Sequence, residues 1–240
     1  MFDSILKLFS PSNSQCVFCH AQKKNNKGMF GLCDLCTQSI PWIRSVECQK
    51  CGRYEKCYDC IKRKEVYFEV NRSAVQYSDE MREWLARYKY RGDESLLPLL
   101  IEMLRFPCES LIQALSRPKK QFDCITYIPL SPERLAERGF NQAEQLAQGI
   151  GKLYGIPVIP LLVRVLHSGK QSYKTRGQRL SDLQHVFKYR DNSTLELKGD
   201  TPLNIILVDD VYTTGSTLNQ ASSSIRKHLN AQVYGLTWAR

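Results

Sequence analysis

The stretch Ile205-Ile206-Leu207-Val208-Asp209-Asp210-Val211-Tyr212-Thr213-Thr214-Gly215-Ser216-Thr217-Leu218 constrains the fold more than any other part of this sequence. Its four leading residues are apolar, three of them β-branched, with no polar break. That pattern suits a parallel strand buried on both faces better than a half-exposed one. Two acids fall at the strand's end, a run of hydroxyls with one glycine follows, and helical spacing runs from Leu218 to Leu229. The result is a strand-loop-helix unit with a polar crevice.

In open α/β sheets ligands sit beyond the carboxyl ends of the strands, and a helix N-terminus offers free N–H groups and a partial positive charge to a phosphate. The hydroxyl loop is therefore a phosphate cup. Paired carboxylates would repel a phosphate directly, so their expected work is to accept hydrogen bonds from sugar hydroxyls or to hold a hard cation that bridges to phosphate oxygens. A phosphorylated ribose satisfies both halves. The Mg-binding strand of P-loop NTPases is excluded, because no Gly-x-x-x-x-Gly-Lys-Ser/Thr lies upstream and Gly151-Lys152 is followed by Leu153. An ordinary strand-to-helix turn rich in capping residues is the bland alternative, but it has no need of consecutive acids. The fourteen residues resemble the phosphoribosyl-pyrophosphate (PRPP) motif of type I phosphoribosyltransferases. That resemblance implies PRPP contacts from Val208, Asp209, Asp210, Thr213, Thr214, Gly215, Ser216 and Thr217, with Asp209 and Asp210 as the catalytic pair and Mg accompanying PRPP.

Eight of the ten cysteines form four Cys-x-x-Cys pairs within residues 1–65: Cys16/Cys19, Cys33/Cys36, Cys48/Cys51 and Cys57/Cys60. Each pair can span two corners of a zinc tetrahedron, so four pairs predict two closed structural sites. Sequential pairing leaves 13 residues between the pairs of one site and five between those of the other. Both loops can close, and crossed pairing stays open. A thioredoxin-like redox site would be a single such motif at a strand-helix junction, whereas these sit in polar sequence with Gly31 and Gly52 nearby. His20 is a substitute ligand or an exposed neighbour. Lys23, Lys24, Lys27, Lys50, Arg53, Lys56, Lys62, Arg63 and Lys64 make the ribbon either a nucleic-acid surface or a solvated protein-docking module.

No run of 18 apolar residues occurs, and Phe2 to Phe9 carries an acid and a lysine, so neither a membrane span nor a secretory signal is read and a cytoplasmic location is expected. Reduced thiols there favour metal ligation over disulfides. The formal charge of +10 falls to roughly +6 if two tetrathiolate zinc sites, each near −2, are filled. A basic balance favours polyanionic partners.

The Lys62–Glu65 charge run reads as a linker between a double zinc ribbon at 1–65 and an α/β domain at 66–240. Residues 66–77 suggest a strand and 79–90 a helix, with Tyr88 in the core and Lys89 and Arg91 complementing the helix C-terminus. Aromatics among these cations also fit a single-stranded nucleic-acid groove. Residues 96–104 and 111–115 read as two helices separated by Pro107, 122–128 as a buried strand, 143–154 as a helix, 157–166 as a strand and 232–238 as the last strand. The helix at 218–229 should cross to that strand in right-handed fashion. Cys108 and Cys124 read as inert core thiols.

Arg138-Gly139-Phe140-Asn141-Gln142, the upstream cysteine pairs and the terminal motif together resemble the competence protein ComF family, also called amidophosphoribosyltransferase-like proteins, over essentially the whole chain. The resemblance implies a parallel-sheet type I phosphoribosyltransferase-like domain behind the zinc ribbon. It also implies a role in natural transformation, handling single-stranded DNA with the DNA-uptake helicase as partner. Gln171, Arg179 and Phe187 match a family loop, while Asp182 stands where relatives show Asn. Lys170, Lys174, Arg176 and Arg179 of the basic loop 169–179, with Arg138, are the candidates to face pyrophosphate.

Three functional classes remain open: a phosphoribosyltransferase attacking PRPP with a nitrogen nucleophile, a module that binds a phosphorylated ribose or nucleic-acid end without turnover, and an adaptor that docks a motor. No dedicated nucleobase site is recognisable and no glutaminase nucleophile follows Met1, which favours binding over turnover.

Overall fold

The structure is a computed structural model that describes residues 15–23, 29–115, 121–165, 186–191 and 201–240. Two short helices, α1 (Asp34–Gln38) and α2 (Asp59–Lys62), punctuate the cysteine-rich segment. There follow β1 (Asn71–Val75), α3 (Asp79–Tyr90), α4 (Leu97–Leu115), β2 (Cys124–Tyr127), α5 (Pro132–Arg138), α6 (Gln142–Tyr154), β3 (Leu162–Arg164), β4 (Phe187–Tyr189), β5 (Leu203–Val211), α7 (Ser216–Arg226) and β6 (Ala231–Ala239).

Strands β1, β6, β5 and β2 form, in that order, an all-parallel sheet, while β3 and β4 pair antiparallel beside it. The apolar run lands in an inner strand, as its lack of polar breaks requires. Alternate residues of β5 serve the two faces. Ile206 and Val208 join Trp84, Leu100, Met103, Leu146, Ile150 and Trp238 in one apolar layer beneath α3, α4 and α6. Leu203, Ile205 and Leu207 join Leu218, Ala221, Ile225 and Val233 in the other, beneath α7.

Helix α4 runs unbroken through Pro107, which corrects the expectation of two helices. An interior proline costs about 3 kcal/mol through its missing N–H and its ring clash. Burial of Leu99, Leu100, Met103, Leu104, Cys108, Leu111 and Leu115 along the same helix outweighs that loss. The strand expected at 66–77 is confined to β1, and that at 157–166 to β3 with a single bridge from Val158 to Ile125. Helix α5, which the sequence reading did not anticipate, starts on a Ser131 cap that accepts from the Arg134 amide and stops at Gly139 in the left-handed region. Cys108 and Cys124 are fully buried, and burial pushes each thiol up to about 12, so both stay protonated core residues.

The cysteine-rich segment shares both layers. Cys16 packs into the layer beneath α4, where Phe18 stacks on Trp84 at 4.4 Å between ring centroids. Cys51 and Cys57 pack into the layer beneath α7. Gly52 shows how closely the second segment meets the sheet: at φ 72° it occupies a conformation that other residues rarely adopt, and a Cβ there would lie 2.5 Å from the Asn71 carbonyl oxygen.

Candidate functional site

The chain gathers its cysteines into two groups, Cys16/Cys19/Cys33/Cys36 and Cys48/Cys51/Cys57/Cys60. Pairing is therefore sequential, and the crossed alternative is eliminated. A tetrahedral zinc with sulfurs at about 2.3 Å holds them about 3.8 Å apart. The sulfurs of each group lie within 4.8 Å of one another, with Cys19–Cys33 at 3.6 Å and Cys51–Cys57 at 3.5 Å. Within each group one thiol is shifted down, while burial raises Cys19 and Cys36 in the first group and Cys51 and Cys60 in the second. Burial works to raise the Cys16 thiol, but the amides of Cys19, Cys33 and Phe18 donate to it and bring it down to about 6. At Cys48, the same burial is outweighed by the amides and side chains of its neighbours, giving about 7. Both clusters could hold zinc. His20 is exposed at φ 60° and approaches Arg87 rather than the sulfurs.

At the carboxyl end of β5 the two acids diverge in role. Asp210 is buried at 8% exposure and meets two partners from distant helices. The Lys89 ammonium at the end of α3 forms an ion pair with its Oδ2, and the Gln142 side-chain amide donates to the same oxygen at 2.9 Å. Asp209 is half-buried, and its Oδ1 accepts the Asp210 backbone N–H at 2.9 Å. Burial, then the neighbouring Asp210 charge, push Asp209 well above the usual carboxylate range. Of the two acids, Asp210 is thus buried and paired with a lysine, while Asp209 is half-buried at the strand's end.

Arg138-Gly139-Phe140-Asn141-Gln142 forms a wall of this site, and its four residues with side chains each make a distinct contact. Arg138 donates to the Gln142 side-chain oxygen and lies 5.0 Å over the Tyr90 ring, with its Nε buried and unbonded. Phe140 packs on Tyr88 at 5.2 Å. Asn141 caps α6 by accepting the Ala143 amide at 3.0 Å and anchors it by donating to the Ile128 carbonyl at 3.0 Å. Gln142 completes the relay to Asp210. Arg164 of β3 sits within electrostatic reach of Asp209 and Arg134.

The hydroxyl loop follows. Gly215, at φ 79°, precedes α7 without capping it through a side chain, so the first-turn amides are not masked by a capping group from that residue. Thr214 Oγ1 lies 3.0 Å from Ser216 Oγ and accepts the Ser216 amide at 3.4 Å. Thr213, Thr214, Ser216 and Thr217 are all exposed beyond the strand's end. The Tyr212 ring lies directly beneath Gly215, where an added Cβ would fall 2.1 Å from the phenolic oxygen.

Lys89 was expected to complement the C-terminus of its own helix; its partner is Asp210 instead, because α3 ends against the carboxyl edge of the sheet. Arg91 pairs with Glu83 at 2.9 Å. Lys170, Gln171, Lys174, Arg176, Arg179 and Asp182 lie outside the described residues, as do Lys24 and Lys27, while Phe187 is buried in β4. Sequence reading missed Lys89, Gln142 and Arg164 as neighbours of the acids. No local signal marked them, since a lysine in the last turn of a helix is an ordinary complement to its C-terminus.

No protein-family model matches the chain. It is 34% identical over 200 residues to competence protein ComFC of Bacillus subtilis, covering 80% of this chain and 76% of that protein. It is 30% identical to ComFC of Streptococcus pneumoniae over 82% of this chain and 81% of that one. It is also 30% identical to competence protein F of Haemophilus influenzae over 95% and 98% respectively. Among solved structures, adenine phosphoribosyltransferase of Leishmania tarentolae aligns over 58% of this chain and 71% of that one, at 16% identity and a TM-score of 0.27. That structural likeness is too slight to carry weight; the sequence relationships span most of both partners, and with the paired cysteine clusters and the parallel sheet they make this chain a member of the competence protein ComF family.

Proposed function

We propose that this chain is a DNA-uptake factor in which a phosphoribosyltransferase-like domain, residues 66–240, binds PRPP or another phosphorylated ribose, and residues 1–65 serve as a double zinc ribbon. The relatives' names, competence proteins, support the DNA-uptake role. The observation that carries the ligand reading is the junction of β5 and α7: a half-buried Asp209 lies five residues before the exposed hydroxyl turn at Thr214-Gly215-Ser216, where α7 begins on a glycine.

In this reading Asp209 accepts the ribose hydroxyls, and the amides and hydroxyls of Thr213 to Thr217 surround the phosphate. Asp210 shapes the site through Lys89 and Gln142 rather than by touching the sugar. Arg138 is the candidate to face the pyrophosphate arm, together with Lys170, Lys174, Arg176 and Arg179, which lie outside the described residues. A magnesium ion accompanying PRPP would be held by Asp209, because Asp210 already has a cation, and would supply charge neutralisation to the phosphates. Turnover to a nitrogen nucleophile is the second reading, favoured only by the acid pair itself. Single-stranded DNA and the DNA-uptake helicase are the proposed macromolecular partners, the former supported by the formal charge of +10.

Titration calorimetry with PRPP, ribose 5-phosphate and pyrophosphate, with and without magnesium, tests the ligand reading. PRPP should bind best and need Asp209; equal binding of all three, or tighter PRPP binding by Asp209→Asn, would overturn it. Pyrophosphate release across a panel of bases and amines separates turnover from binding. Affinity for single-stranded DNA should fall steeply with salt, and an affinity independent of salt would remove nucleic acid from the partners.

A further inference from the structure

The loop between β5 and α7 is held from behind by the second cysteine cluster. Arg63, the residue after α2, is half-buried, and its guanidinium donates to two successive carbonyls of the loop: to Thr214 O, and to Gly215 O at 3.2 Å. Cys60 lies inside α2, three residues before Arg63, and the Cys60 amide donates to Cys57 Sγ at 3.5 Å. The four-residue α2 has little helical stability of its own. Its shape comes from the cluster and from the ion pair between Arg53 and Asp59 at 2.7 Å.

A second tether runs in parallel. Arg240 donates to the Cys51 carbonyl at 2.9 Å and lies 4.4 Å over the Tyr212 ring, which Phe68 meets edge-on at 6.2 Å. Tyr212 is the residue on which Gly215 rests. The following chain is fastened too, since Asn219 of α7 accepts the Tyr67 amide at 2.8 Å and donates to the Glu65 carbonyl at 3.1 Å.

Peptide planarity turns these tethers into an orientation. In a trans peptide the N–H points opposite to the preceding C=O. Fixing the Thr214 and Gly215 carbonyls on Arg63 therefore directs the Gly215 and Ser216 amides away from the ribbon. Those are the amides at the N-terminus of α7.

The first cluster is tied elsewhere. Arg87 donates to the Phe18 carbonyl, and the Ile43 amide to the Ala74 carbonyl at 2.9 Å, so this segment is fastened to α3 and β1.

We propose that the second cysteine cluster, acting through Arg63 as a positioning residue, sets the orientation of the loop amides, so that metal occupancy at this cluster and not at the first governs affinity for a phosphorylated sugar. The affinity part rests on the phosphate reading of the loop; the positioning part does not.

The test measures amide hydrogen exchange in the 213–219 segment, metal content, and calorimetric binding of PRPP with magnesium, all on the full chain. Arg63→Ala should keep both metals, speed exchange in the segment by about tenfold or more, and weaken PRPP about tenfold, the size of losing charge-assisted bonds that preorganise a site. Arg63→Lys, which can reach one carbonyl, should recover part of both effects. Cys60→Ser should behave as Arg63→Ala with one metal fewer, and Cys33→Ser should lose a metal while the segment keeps its protection. Unchanged protection in Arg63→Ala, or equal loosening by Cys33→Ser, would overturn the proposal. Arg63→Ala decides the matter if Cys60→Ser fails to fold. A wild-type chain that ignores PRPP but shows this exchange pattern would overturn the phosphate reading and leave the clamp supported.

Discussion

Lys89→Met removes the cation from a buried pair while keeping the aliphatic stem, so it isolates the charge. The two side chains are 13% and 11% exposed, which places the pair among ion pairs whose breakage is costly. Leaving one partner buried and unpaired costs about 3–5 kcal/mol. Gln142 still donates to Asp210 at 2.9 Å in the variant, which favours the lower end. A loss of about 3 kcal/mol corresponds to a fall of about 6–12 °C in Tm for a chain of this length. Asp210→Asn strands the Lys89 ammonium and should lose a similar amount. The double variant Lys89→Met with Asp210→Asn should be clearly more stable than the sum of the single losses implies, because neither charge is left unpaired. Scanning calorimetry or thermal circular dichroism on the four proteins completes the cycle. A Lys89→Met protein melting within about 2 °C of wild type, or strictly additive losses, would refute the claim that this pair holds α3 to the sheet.

Four further outcomes follow from the site and the cysteine clusters. Asp209→Asn should abolish PRPP binding yet raise Tm at neutral pH, since the amide oxygen can still accept the Asp210 N–H while the repulsion is gone; a lower Tm would contradict this. Because its folded-state pKa is raised, Asp209's contribution to stability is fully present below its unfolded-state value and is lost as pH climbs through the folded-state value, while PRPP affinity should rise across that window; calorimetry against pH reads both. Thr214→Val should weaken PRPP binding by about 1–3 kcal/mol through a lost hydroxyl contact, with unchanged affinity placing Thr214 away from the ligand. Metal analysis should find about two zinc ions per chain, and Cys33→Ser should lose one and become less soluble; about one zinc in wild type, or full metal retention in the variant, would contradict the two-site assignment.

The acid pair also shows why the two aspartates are not equivalent. In the sequence both stand at a strand end facing a crevice, and neutralising both is expected to leave the fold intact. The structure corrects that expectation for Asp210: its carboxylate is the partner of a buried lysine 121 positions earlier, so its removal costs stability as well as shape.

What the sequence determined by itself is local. Hydrophobic period placed β5, α3, α6 and α7, because burial on one or both faces writes a repeat of 2 or 3.6, or an unbroken apolar run, directly into the chain. The Cys-x-x-Cys knuckles and the acid-hydroxyl loop were legible for the same reason: their chemistry is carried by neighbours in sequence. The tertiary structure decided what depends on contacts across long separations. It chose sequential pairing of the knuckles, kept α4 whole through Pro107 by burying its apolar side chains, and brought Lys89 and Gln142 to Asp210. It also carried Arg63 across 151 positions to the Thr214 carbonyl. None of these has a periodic signature, since a single buried ion pair or hydrogen bond is specified by where two elements end in space and leaves no mark on the residues between them.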